Sequence, residues 1–160
     1  MFKKTAHSIP KLIASIALCQ MAGIIGSVFT ASSIPTWYAT LEKPFFNPPN
    51  WLFGPVWITL YTMMGISFYL IWHTVKSKKK DKLIKLFLGH LVLNALWSIV
   101  FFGAQQMGVA FIVIGLLWTM IVSLIRGFAP LNKTAAWLLV PYLAWVSFAT
   151  LLNAALWYLN

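Results

Sequence analysis

Three histidines, two acids and one cysteine are the residues of this chain with ordinary catalytic chemistry, and their spacing supports none of it. Glu42 and Asp81 lie in separate polar stretches, so no carboxylate pair is set up for acid-base work. His7, His73 and His90 fall on different segments and show no metal-ligand spacing. No acid lies near a membrane histidine to complete a Ser-His-Asp set, and no glycine-rich phosphate loop is present. The residues do not compose a conventional enzyme, a metal site or an ATP-driven pump. Aromatic and amide chemistry remains. His90, Asn94 and Ser98 recur every four residues on one apolar run, with Trp97 beside them. Pro141, Trp145, Ala149 and Asn153 do the same on another, and Trp57, Tyr61 and Phe68 lie roughly along a face of a third. Turned inward, these faces would enclose an aromatic cavity with a few amides and hydroxyls, the make-up of a small-molecule pocket. Polar residues in apolar helices also simply bond helix to helix, for about 0.6 kcal/mol each. Spacing alone leaves both readings open.

The elements that must carry these faces are membrane spans. The chain is 61% hydrophobic, has a mean hydropathy of +0.82 and is 9% charged, against about 25% in soluble domains. Five apolar segments, near 11–33, 55–75, 84–103, 107–126 and 135–157, approach the roughly 20 residues that cross a bilayer. They predict one all-α membrane domain over residues 1–160. Between the first two, a connection over 34–54 carries Pro44, Pro48 and Pro49 among Trp37, Tyr38, Phe45, Phe46 and Trp51. Proline fixes φ and removes a donor, so 43–50 is expected to be stiff and partly polyproline-like, a rigid aromatic cap over the bundle.

The net charge of +10 sits in the flanks of the apolar runs. It is read as topology and contact with anionic lipid headgroups, not as a nucleic-acid surface. With the N-terminus in the cytoplasm, eleven of the twelve Lys and Arg fall inside, and only Lys43 falls outside. The cap and the C-terminus then face away from the cytoplasm. Phe2-Lys3-Lys4 and Thr30-Ala31-Ser32 have signal-peptide features. Yet 12–34 is longer than the roughly 7 to 15 residues of a signal core and holds Gln20. A retained helix is expected. Cys19, after Ile16-Ala17-Leu18, is read as a buried thiol; Leu18 is too large for a lipoprotein box.

Three stretches carry a family resemblance. WYxxLxKPxxxPPxWxFxPVWxxLY from Trp37, LNALWSIVFFGAQQMG over 93–108 and PYLAWVSFATLLN over 141–153 occur in one order. Together they resemble the tryptophan-rich sensory protein/translocator protein family (TspO/MBR, peripheral benzodiazepine receptor). The resemblance implies a five-transmembrane-helix bundle whose proline- and aromatic-rich loop caps a ligand pocket. Its ligand-binding positions would be Tyr38, Trp57, Tyr61, Asn94, Trp97, Trp145, Ala149 and Asn153. The implied ligand is a porphyrin, protoporphyrin IX or haem, bound for transport, sensing or regulation, with no cofactor required. An alternative is light-dependent porphyrin breakdown using Trp57 and Trp145. A sterol is a further alternative, although Leu156-Trp157-Tyr158-Leu159-Asn160 has no following Lys or Arg and leaves the animal cholesterol motif incomplete. The resemblance also implies a bacterial cell membrane and a homodimer. Gly23, Gly26, Gly89 and Ala95 would permit close helix contact, between protomers or within one bundle.

Overall fold

The computed structural model describes residues 8–74 and 77–160. Phe2, Lys3, Lys4, His7 and Lys76 lie outside the described residues, and so do the readings placed on them. Helices α1 (Ile9–Ser33), α3 (Asn50–Trp72), α4 (Lys78–Ser98), α5 (Met107–Phe128) and α7 (Val140–Leu159) form the bundle. Two short pieces, α2 (Trp37–Thr40) and α6 (Lys133–Leu138), complete it. Among the described residues five spans are long and apolar enough to cross a membrane, the third being Lys78–Gly103 and the fifth Lys133–Leu159. This is an all-α integral membrane bundle. The exposed apolar side chains, Ile13, Ile25 and Val92 among them, are what a lipid-facing surface requires.

Helix ends depart from the sequence expectation for local reasons. α3 begins at Asn50, five residues before Pro55. A proline in the second turn removes only one bond, to the Trp51 carbonyl, so the helix continues through it. The expected 34–54 connection therefore holds α2 and stops at Pro49. α3 ends at Trp72, not near 75, because Lys80 Nζ donates to the carbonyls of Trp72 (2.6 Å) and Thr74 (2.8 Å). α4 starts inside the lysine run, well before 84. Ser77 caps it, accepting from Lys80 N, and Asp81 sits in its first turn. The last span is broken at Leu139, where Pro141 cannot donate back to Trp137.

α4 finishes in a π turn over Ile99–Gly103. The wider turn rotates two consecutive side chains inward, and Phe101 and Phe102 are both buried, rings 4.8 Å apart. At the other end of the bundle Phe68 stacks on Phe87 (4.7 Å), and Phe87 on Phe128 (6.2 Å).

α1 packs closely on α3, and glycine makes that contact. A Cβ on Gly23 would stand 2.4 Å from the Tyr61 ring, and one on Gly65 2.5 Å from the Ile16 backbone. Gly26 faces Ser98 in the same way. Gly23 and Gly26 thus serve packing within one bundle.

Candidate functional site

A cavity of about 380 Å³ lies between α1, α3, the α4 end with its π turn, and α7, next to α2. That volume is within the usual range for small-molecule sites, roughly 300 to 1,000 Å³. Its opening is marked by exposed lining residues on two helices: Ile24, Ser27 and Ala31 of α1, and Asn50, Gly54 and Ile58 of α3. It opens between these helices.

The structure brings seven of the eight expected residues to the wall: Tyr38, Trp57, Tyr61, Trp97, Trp145, Ala149 and Asn153. Each is held by a specific contact or by its helix. The Tyr38 hydroxyl donates to Asn47 Oδ1 (2.7 Å), and Asn47 Nδ2 donates to the Pro48 carbonyl (3.1 Å). The proline-rich segment thereby positions α2. Burial pushes the Tyr38 phenol up to about 12. Trp57 stacks on Tyr61 with ring centroids 5.4 Å apart, and Trp145 lies against Phe53 (6.2 Å) and Phe148 (5.5 Å). Trp97 Nε1 donates to Asn153 Oδ1 (3.1 Å), and Asn153 Nδ2 donates to the Met107 carbonyl (2.9 Å). One amide thus ties α4, α5 and α7 together.

Asn94 is the exception. It is buried behind the wall, accepting from the Tyr61 hydroxyl and donating through Nδ2 to Tyr142 Oη (2.9 Å). It touches the cavity only through Tyr61. The four-residue stripes predict faces too generously, because each step of four advances about 40° around a helix. Of His90, Asn94 and Ser98, only Ser98 reaches the cavity. His90 is fully buried against Phe87 and Tyr142, with Nδ1 on the Phe87 carbonyl, and does not reach a ligand in the cavity. Pro141 is exposed, and Phe68 belongs to the aromatic stack at the other end.

Several lining residues escaped the sequence reading. Phe53, Phe101 and Phe102 lie on the wall, the last two through the π turn, which no spacing rule signals. α1 supplies Gln20, Gly23, Ser27 and Thr30. Gln20 was a legible signal, an amide in an apolar helix. It donates to the Ile58 carbonyl (3.0 Å) and to Thr62 Oγ1 (3.0 Å), pinning α1 to α3. Tyr142, one residue beyond Pro141, is the buried phenol that anchors Asn94.

No charged side chain is found among the described residues lining the cavity. Lys43 is the nearest cation along the chain. Its Nζ donates to the Ala39 (3.3 Å) and Leu41 (3.0 Å) carbonyls and stands 5.1 Å from the centre of the Tyr38 ring. Such a chamber can hold a flat apolar body by ring contact. Among the described residues that line it there is no His, Cys, Asp, Glu, Lys or Arg side chain.

Comparison with known proteins gives a consistent result. A family model described as the TspO/MBR family matches residues 15–159. The chain is 44% identical over 155 residues to the Tryptophan-rich protein TspO of Archaeoglobus fulgidus, spanning 96% of this chain and 99% of that one. It is 39% identical over 144 residues to the human Translocator protein, 83% of this chain and 80% of the other. Against the Tryptophan-rich sensory protein of Cereibacter sphaeroides it is 33% identical over 138 residues, with 86% and 84% covered.

Proposed function

This chain belongs to the TspO/MBR family, and on that premise we propose that it binds a flat hydrophobic ligand, a porphyrin first, in the cavity walled by α1, α3, α4 and α7. Membership makes it an integral membrane protein of the receptor and translocator type. The observation that carries the ligand reading is the convergence of Tyr38, Trp57, Tyr61, Trp97 and Trp145 from four separate elements on one chamber. Aromatic faces gathered in this way stack on a conjugated macrocycle. Of the connection between α1 and α3, Ile34 and Tyr38 reach the cavity, and the Tyr38–Asn47 bond ties residues 41–49 to that wall. Binding serves transport, sensing or regulation across a bacterial cell membrane, with the N-terminus in the cytoplasm and the cap on the opposite side. A homodimer, carried by the resemblance alone, would use faces other than Gly23 and Gly26. A sterol is the weaker alternative ligand.

The test is a dark titration of the detergent-solubilised protein with protoporphyrin IX, followed by tryptophan quenching. Saturable quenching that Trp145→Phe weakens is expected. Quenching that rises linearly, as in empty detergent, removes the porphyrin reading.

One observation favours a second reading, light-dependent porphyrin breakdown. Trp57 and Trp145 both stand on the wall, and Trp57 is stacked on Tyr61. Electron-rich indoles could quench an excited macrocycle without any acid or base. Illuminating the complex then bleaches the porphyrin spectrum. Bleaching at an undiminished rate in a Trp57→Phe/Trp145→Phe variant rules out the indoles.

A further inference from the structure

We infer that the cavity is a site for the uncharged part of its ligand, and that any carboxylates of a bound porphyrin stay outside the chamber and contribute nothing to its affinity. The inference rests on the porphyrin reading above, and it turns on what the wall lacks and what its polar atoms already do. A carboxylate entering an apolar chamber loses its hydration. It is tolerated only where a cation or several hydrogen-bond donors replace that water.

The wall offers no cation among the described residues. Its strongest donors are already engaged. The Tyr38 hydroxyl is bonded to Asn47 and the Tyr61 hydroxyl to Asn94. Trp97 Nε1 is bonded to Asn153, and Asn153 Nδ2 to Met107. Ser27 and Thr30 donate to the carbonyls of Ile24 and Gly26 in their own helix. The donors left over are the indole N–H groups of Trp57 and Trp145, the Ser98 hydroxyl and, at the exposed mouth, the Asn50 amide, all neutral. These suit one or two neutral acceptors and fall short of what a propionate requires.

The surroundings point the same way. Lys43 is engaged by two carbonyls and the Tyr38 ring, and no other Lys or Arg occurs between Lys11 and Lys76. The opening between α1 and α3 is bordered by Ile24, Ala31, Gly54 and Ile58, together with the neutral Ser27 and Asn50. The ligand class assigned is therefore a polycyclic body with an uncharged face, and its ionised groups are passengers.

The experiment compares three probes in the dark in one nonionic detergent: protoporphyrin IX, its dimethyl ester, and perylene, an uncharged polycycle with no porphyrin core. Saturable quenching is measured, with mutual displacement to establish a shared site. The ester is expected to bind at least as tightly as the diacid and to displace it. Lys43→Gln is expected to change the Kd of the diacid and that of the ester by the same factor, within twofold of one another. An ester at least tenfold weaker than the diacid overturns the inference while leaving the porphyrin reading intact. So does a tenfold loss on Lys43→Gln seen for the diacid and not for the ester. Saturable perylene binding with neither porphyrin bound keeps the uncharged-ligand assignment and removes the porphyrin. If none of the three saturates, both readings fall together.

Discussion

Tyr61 donates its hydroxyl proton to Asn94 Oδ1, and through that bond a residue outside the cavity holds one of its walls. Asn94 passes the constraint on, donating to Tyr142 Oη at 2.9 Å. Asn94→Leu should leave two buried phenols short of a partner, at about 1 to 3 kcal/mol for each unsatisfied group. Thermal unfolding in detergent is expected at a clearly lower temperature, with weaker ligand binding as the Tyr61 ring loosens. Tyr61→Phe removes one end of the same bond. A double-mutant cycle in which the two changes are fully additive would show that Asn94 does not act through Tyr61.

Gly23 sets the depth of the chamber on the α1 side. A methyl group there would meet the Tyr61 ring at 2.4 Å, and Asn94 restrains that ring from moving aside. Gly23→Ala is expected to cost about 1 to 3 kcal/mol by overpacking and to lower porphyrin affinity. Gly54→Ala is the control, since nothing lies within 4 Å of a Cβ at that position. Equal stability of the two variants would mean that the α1–α3 contact yields more freely than the structure indicates.

Asn160 clasps the loop from the end of α7. Its Oδ1 accepts from Glu42 N at 3.0 Å, and its Nδ2 donates to the carbonyls of Glu42 (3.1 Å) and Leu156 (2.9 Å). Each such bond is worth about 0.5 to 1.5 kcal/mol, less where exposed. Asn160→Ala should raise amide exchange over residues 41–47 and speed ligand release about threefold to tenfold. Unchanged exchange would show that Asn160 does not hold the loop.

Tyr38 gives the loop a defined alkaline limit. Burial raises its phenol from the ordinary value near 10 to about 12, so Tyr38 in its packed place keeps a proton that an exposed Tyr38 would release. The packed arrangement is unaffected below pH 10 and loses stability as pH rises from 10 toward 12. Limited proteolysis within residues 41–49 should accelerate as pH rises from 10 toward 12 in the wild type. The acceleration should be smaller in Tyr38→Phe, which cannot ionise. Identical profiles would place the alkaline sensitivity elsewhere.

Composition and order along the chain were enough to establish a five-span membrane bundle, its family and most of the aromatic wall. These follow from quantities a linear sequence carries: apolar length, proline position, and residues such as Trp57 and Tyr61 one helical turn apart. Packing alone decided which polar groups face the chamber. Asn94 and Ser98 share a stripe in sequence, yet a rotation of about 40° per four residues puts one behind Tyr61 and the other on the wall. The π turn that brings Phe101 and Phe102 inward together closes with a bond from Ala104 N to the carbonyl of Ile99, five residues back. The contribution of α1 depends on Gly23 and Gly65 letting two backbones approach. Helix rotation and backbone separation are set by side chains from distant parts of the chain meeting at once, and no local pattern encodes such meetings.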